Sequence, residues 1–63
     1  MWPYAIEVLY KGDGQYFHVG NMRDYDAARY AARFYGYAGN IVRVKEHGTV
    51  VFTSCDGKEW EAS

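Results

Sequence analysis

Apolar and polar residues alternate from Tyr4 to Tyr10, with Tyr4, Ile6, Val8 and Tyr10 on one side and Ala5, Glu7 and Leu9 on the other. A period of two is that of a strand with one mostly apolar face. Lys11-Gly12-Asp13-Gly14-Gln15 follows, and its two glycines can take positive φ and turn the chain back. Tyr16 to Gly20 alternates again and groups Phe17 with Val19, so the first two elements predict a hairpin. The period then changes. Asp24 is a good helix N-cap and Asp26 falls in the first turn, where the helix dipole favours negative charge. Ala27, Ala31, Phe34 and Ala38 recur at helical spacing, Ala28, Ala32 and Tyr35 widen the stripe, and Gly36 and Gly39 offer stop positions. The pattern predicts a helix over about 25–36. Asn40 to Glu46 sets Val42, Val44 and Glu46 against Ile41, Arg43 and Lys45. His47-Gly48 makes a turn, and Thr49 to Ser54 is a β-branched and aromatic run that reads as a strand. Asp56-Gly57 is a short-hairpin signal, after which Trp60 closes a last strand.

The order is ββαβββ, an α+β fold with a single antiparallel sheet and one helix packed on one face. Ile6, Val8, Phe17, Val19, Ala27, Ala31, Phe34, Val42, Val44, Phe52 and Trp60 are the expected core. Sixty-three residues are room for one compact domain, 1–63, with no linker, repeat or low-complexity stretch. Aromatics make up 19% of the chain, more than a core this small can enclose, so aromatic surface is left for contact.

Charge narrows the classes of partner. Residues 1–33 carry four cations and four anions, and residues 34–63 carry three and four. Neither half is polarised, which disfavours nucleic acid as the sole partner unless folding gathers the cations on one face. A single cysteine, Cys55, excludes an internal disulfide. Met1-Trp2-Pro3-Tyr4 lacks the charged and apolar regions of a signal peptide, and no run approaches the ~18 apolar residues of a membrane span. The expectation is a complete cytoplasmic product with no membrane partner, monomeric or homodimeric.

Catalytic and metal chemistry find little to work with. His18, His47 and Cys55 are the best metal ligands, but they lack C-x-x-C or H-x-x-x-H spacing. A catalytic thiol needs a helix N-terminus or a cationic neighbour, and Cys55 lies instead beside a hairpin turn next to Asp56, so it does not read as a nucleophile. Gly12-Asp13-Gly14 is spelled like part of a phosphate loop but joins two strands, where a phosphate loop must lead into a helix. The reading is of a non-enzymatic protein with no cofactor and no metal.

Two surfaces are candidates for binding. On the helix, Tyr25, Arg29 and Arg33 follow i, i+4, i+8, with Asp26, Tyr30, Arg33 and Tyr37 in a neighbouring row. Tyr and Arg are the residues of interface hot spots and also suit stacking on unpaired bases. Arg stems lying over tyrosine rings on a solvated helix would look the same in sequence. On the sheet face away from the helix, Tyr16, His18, Ile41, Arg43, Lys45 and Leu9 are candidates, and exposed Tyr beside Arg and Lys suits single-stranded RNA. A small open sheet also offers its edges, to a partner or to a second copy.

The Ala-rich helix around Ala27–Ala32, Ile41-Val42-Arg43-Val44, Gly48-Thr49 and the closing Asp56-Gly57-Lys58-Glu59-Trp60 form a further pattern. Over this half of the chain it resembles small phage-encoded anti-CRISPR proteins that inhibit type I surveillance complexes, and related uncharacterised small phage proteins. The resemblance implies a stoichiometric inhibitor that docks on a Cas effector and blocks access of target DNA, in the cytoplasm of a bacterial host. It implies no catalytic residues. The expected partner is therefore a protein, met by Tyr25, Arg29, Tyr30, Arg33 and Tyr37, with Tyr16, His18, Arg43 and Lys45 as further contacts on the sheet.

Overall fold

A computed structural model describes residues 2–37 and 39–61. It has strands β1 (Tyr4–Leu9) and β2 (Phe17–Met22), helix α1 (Tyr25–Tyr35), and strands β3 (Ile41–Glu46), β4 (Thr49–Cys55) and β5 (Lys58–Glu61). The strands form one antiparallel sheet in the order β2-β1-β3-β4-β5. The expected α+β fold, ββαβββ with one helix on one face, is the one observed. Among the described residues no helix is long and apolar enough to cross a membrane.

Local chemistry sets the punctuation. The Asp24 carboxylate accepts from the Ala27 N–H at 2.8 Å, satisfying one of the free donors of the first turn. Gly36 ends the helix, its N–H donating to the Ala32 carbonyl at 2.9 Å. His47 and Gly48 have φ of 50° and 85°, and Asp56 and Gly57 have 53° and 82°. Positive φ at both central residues is the turn whose twist matches paired strands, so two residues suffice to close each of the last two hairpins.

The buried core is Ile6, Val8, Ala28, Ala32, Val42, Val44 and Phe52, with Tyr4, Val19, Met22, Tyr25, Tyr35 and Val51 packed around it. Burial of each large aliphatic or aromatic side chain contributes roughly 1.5–3 kcal/mol. Ala28 and Ala32 are fully enclosed, which lets the helix backbone lie close on the sheet.

The helix is rotated relative to expectation. Its inward stripe is Tyr25, Ala28, Ala32 and Tyr35, so Ala27 and Ala31 are only half-buried and Phe34 is exposed. Ala38, the last residue of the expected stripe, lies outside the described residues. The rotation seats two tyrosine rings, and not two further methyl groups, in the angle between helix and sheet, where they cover more apolar area. Phe17 and Trp60 are also not core. Phe17 pairs with Val8 but stands on edge strand β2, exposed and tilted against Tyr10 at 6.2 Å between ring centres. Trp60 pairs with Thr53, one residue on from buried Phe52, and therefore projects from the opposite face of the sheet.

Candidate functional site

Tyr25 was expected on the outer helix face; it points inward. Its ring lies 5.9 Å from that of Tyr4 and meets Phe52 edge-on at 6.3 Å, and its buried hydroxyl has no hydrogen-bond partner among the described residues. Burial raises its pKa, and the nearby Glu61 charge adds to the effect. Arg29 closes this cluster from outside, its guanidinium 5.9 Å from the Tyr25 ring centre and 5.5 Å from that of Phe52. Both residues serve the core.

Arg33 is bound to the sheet. Its Nε and Nη2 donate to Glu59 Oε2 and Oε1 at 2.5 and 3.2 Å, a two-pronged pair from the helix to edge strand β5. Arg29 Nη2 lies 3.9 Å from the same carboxylate. The hydrogen bond from Arg33 holds the Glu59 carboxyl below its ordinary pKa against the opposing effect of desolvation, with the charges of Arg33 and Arg29 adding.

Outside this clamp stand three aromatic residues. Tyr30, Phe34 and Tyr37 are 75%, 73% and 59% exposed and, with Arg33, line a shallow groove of about 210 Å³. Tyr30, Arg33 and Tyr37 were legible as a group in sequence. Phe34 was assigned to the core, and the missed signal is angular: a stripe centred on Ala28 and Ala32 puts Phe34 on the outer half of the helix.

The far side of the sheet is a second surface. Pairing aligns His18, Glu7, Arg43, Thr53 and Trp60 in one row across all five strands. The Glu7 carboxylate accepts from Arg43 Nε at 2.6 Å and lies 3.5 Å from Lys45 Nζ. Partial burial pushes the Glu7 carboxyl up, but the hydrogen bond and charge of Arg43, joined by Lys45, outweigh it and leave the pKa lowered. The Arg43 guanidinium sits 3.7 Å over the Tyr16 ring, and His18 Nε2 lies 2.8 Å from Asn21 Oδ1. Tyr16, His18, Arg43 and Lys45 thus share this face, as expected. They lie across the sheet from Tyr30, Arg33 and Tyr37, so the helix-face and sheet-face candidates remain two separate surfaces, with Tyr25 withdrawn into the core.

Two tryptophans join the second surface. Trp60 ends the row, 52% exposed. Trp2, half exposed with the Arg23 guanidinium 5.7 Å over its ring, borders a concavity of about 380 Å³ with Ala5, Glu7, Asn21, Lys45 and His47. The sidedness of Trp60 follows from the register of the folded hairpin, in which Cys55 opposes Lys58, Ser54 opposes Glu59 and Thr53 opposes Trp60. Among the described residues no three His, Cys, Asp or Glu side chains gather as metal ligands.

No protein-family model, curated protein or solved structure matches this chain.

Proposed function

We propose that this protein acts by binding another protein through the outer face of α1, with Tyr30, Phe34 and Tyr37 as anchors and Arg33 as the polar rim. The observation that carries the reading is the exposure of Tyr30 and Phe34 on α1 and of Tyr37 just past its Gly36 cap, on a helix whose other side is held to the sheet by a buried Ala28/Ala32 seam and the Arg33–Glu59 pair. Aromatic anchors on a fixed helix lose little side-chain entropy on docking and desolvate a large area. Steric occlusion is the mechanism that suits so small a domain: it needs only a mask of the right shape.

The resemblance to type I anti-CRISPR proteins supplies a specific target class for this activity. The Asp56-Gly57-Lys58-Glu59-Trp60 segment, one of those that carry it, forms the last hairpin and provides the carboxylate that holds Arg33. The chain, expressed in cells whose type I effector targets a phage, is expected to restore plating of that phage. Plating that stays suppressed removes this target class and leaves the binding activity to be tested by capture. A discrete protein retained on the immobilised chain after nuclease treatment, and lost with Phe34→Ala or Tyr30→Ala, is the expected result. Retention unchanged by both substitutions overturns the helix-face assignment.

A further inference from the structure

The net charge of −1 conceals a separation of charge across the sheet. Pairing places Glu46 opposite Tyr4, Glu59 opposite Ser54 and Glu61 opposite Phe52, all on the helix side. The three strand cations lie on the other side: Arg43 opposite Glu7, Lys45 opposite Ala5 and Lys58 opposite Cys55. Glu7 is the one strand carboxylate on that face, and it lies between Arg43 and Lys45. Among the strand residues the open face is therefore cationic and the helix-side face acidic, where Arg33 and Arg29 of α1 meet Glu59, although the chain as a whole is balanced.

The same face carries both tryptophans of the chain and a tyrosine. Tyr16 lies under Arg43, Trp60 ends the row that contains Arg43, and Trp2 borders the concavity beside Lys45. We infer that the open face of the sheet binds single-stranded nucleic acid, with Trp60 and Trp2 stacking on unpaired bases and Lys45, Lys58 and Arg43 meeting phosphates. Charge selects the occupant, since a polyanion is the complement of a surface with three cations and one shared carboxylate. Flat exposed rings spaced between those cations select a strand whose bases are unstacked over a duplex, which keeps its bases inside. Adjacent strands are ~4.8 Å apart, so the row from His18 to Trp60 spans about 19 Å, and sheets of comparable width stack two or three bases. The concavity at Trp2, about 380 Å³, adds a recess beside Lys45 on the same face. This surface and the face of Tyr30, Phe34 and Tyr37 lie on opposite sides of the molecule, so either can fail without the other.

The two tryptophans make the test direct, because stacking quenches indole emission. The full chain is titrated with fluorescein-labelled oligothymidylate and oligouridylate of about 15 nucleotides, reading anisotropy and tryptophan emission together. The expected result is binding with quenching and, for three phosphate contacts on a single strand, a slope of log K on log salt of about −2. Affinity then falls about 15-fold between about 50 and 200 mM salt. Trp60→Ala weakens binding roughly tenfold, the loss of one stacked base. Lys58→Glu weakens it and flattens the slope, whereas Tyr30→Ala on the other side leaves it unchanged. Trp60 and Lys58 are exposed on a short edge strand, and far-ultraviolet circular dichroism verifies that both variants fold; Trp2→Ala repeats the stacking test outside any strand. No binding of either oligonucleotide at about 50 mM salt overturns the inference. So does binding that all three sheet-face variants leave intact, or binding without any change in tryptophan emission.

Discussion

Arg33, in the last turn of α1, and Glu59, 26 residues later on β5, face each other at 2.5 Å between Nε and Oε2. The pair joins the helix to a four-residue edge strand whose neighbour in the sheet is β4. Glu59→Ala is expected to lower the thermal midpoint and to fray β5, read as faster amide exchange at Glu59 and Trp60. Glu61→Ala, on the same strand and without an Arg partner among the described residues, is the control and is expected to have the smaller effect. The difference between the variants shrinks in high salt, which screens an exposed ion pair.

Acid weakens the fold through two carboxylates. Glu7 and Glu59 both have pKa values below the ordinary 4.5, so the native state holds their charged forms more tightly than the unfolded chain does. Their stabilisation is complete above about 4.5 and is lost as pH falls through the lowered native values. The thermal midpoint should therefore drop as the solution is taken below about pH 4.5, less steeply in Glu59→Gln. An equal acid dependence in that variant would remove Glu59 from the account.

Two tyrosines should titrate late. Burial raises the pKa of both Tyr4 and Tyr25 above 10.0, helped by Glu46 for Tyr4 and by Glu61 for Tyr25. Here the native state favours the neutral form, so this contribution is present below the unfolded value and is lost as pH rises through the native ones. An ultraviolet absorbance titration is expected to show two of the seven tyrosines ionising after the others, together with alkaline unfolding.

Gly36 is a point of close approach. A Cβ there would lie 2.8 Å from Ser54 Oγ and 3.0 Å from the Ala32 carbonyl oxygen. Gly36→Ala is expected to cost about 1–3 kcal/mol by overpacking, measured by urea denaturation. Combining it with Ser54→Ala removes the nearer of the two atoms, so the double variant should recover part of the loss.

The rotated helix face is tested by leucine substitution. Ala32→Leu forces two extra branches into a fully enclosed site and should cost about 1–3 kcal/mol. Phe34→Ser removes an exposed ring and should fall within about 0.5 kcal/mol of the parent. The opposite ranking would restore Phe34 to the core.

Much of the fold was legible because its signals are local. Asp24 caps whatever helix follows it, Asp-Gly turns a chain back in two residues, and the alternation of Ile6 with Val8 and of Val42 with Val44 separates the two sides of a strand before any partner is known. These come from dihedral preference and side-chain period, both properties of a few consecutive residues.

Three things were decided only in the folded chain. Which of two adjacent alanine stripes faces the sheet depends on whether Tyr25 and Tyr35 find room between helix and strands, and the stripes differ by one residue in eleven. Trp60 and Phe52 are equally apolar as residues, yet pairing across β4 and β5 sends them to opposite faces. The balance of Lys and Arg against Asp and Glu is fully readable in the sequence, and it pointed away from a charged surface. Folding separates those charges because residues paired across antiparallel strands share a face. Arg43, Lys45 and Lys58 thus come together from segments that are unremarkable one by one, with Glu46, Glu59 and Glu61 on the other side of the same sheet.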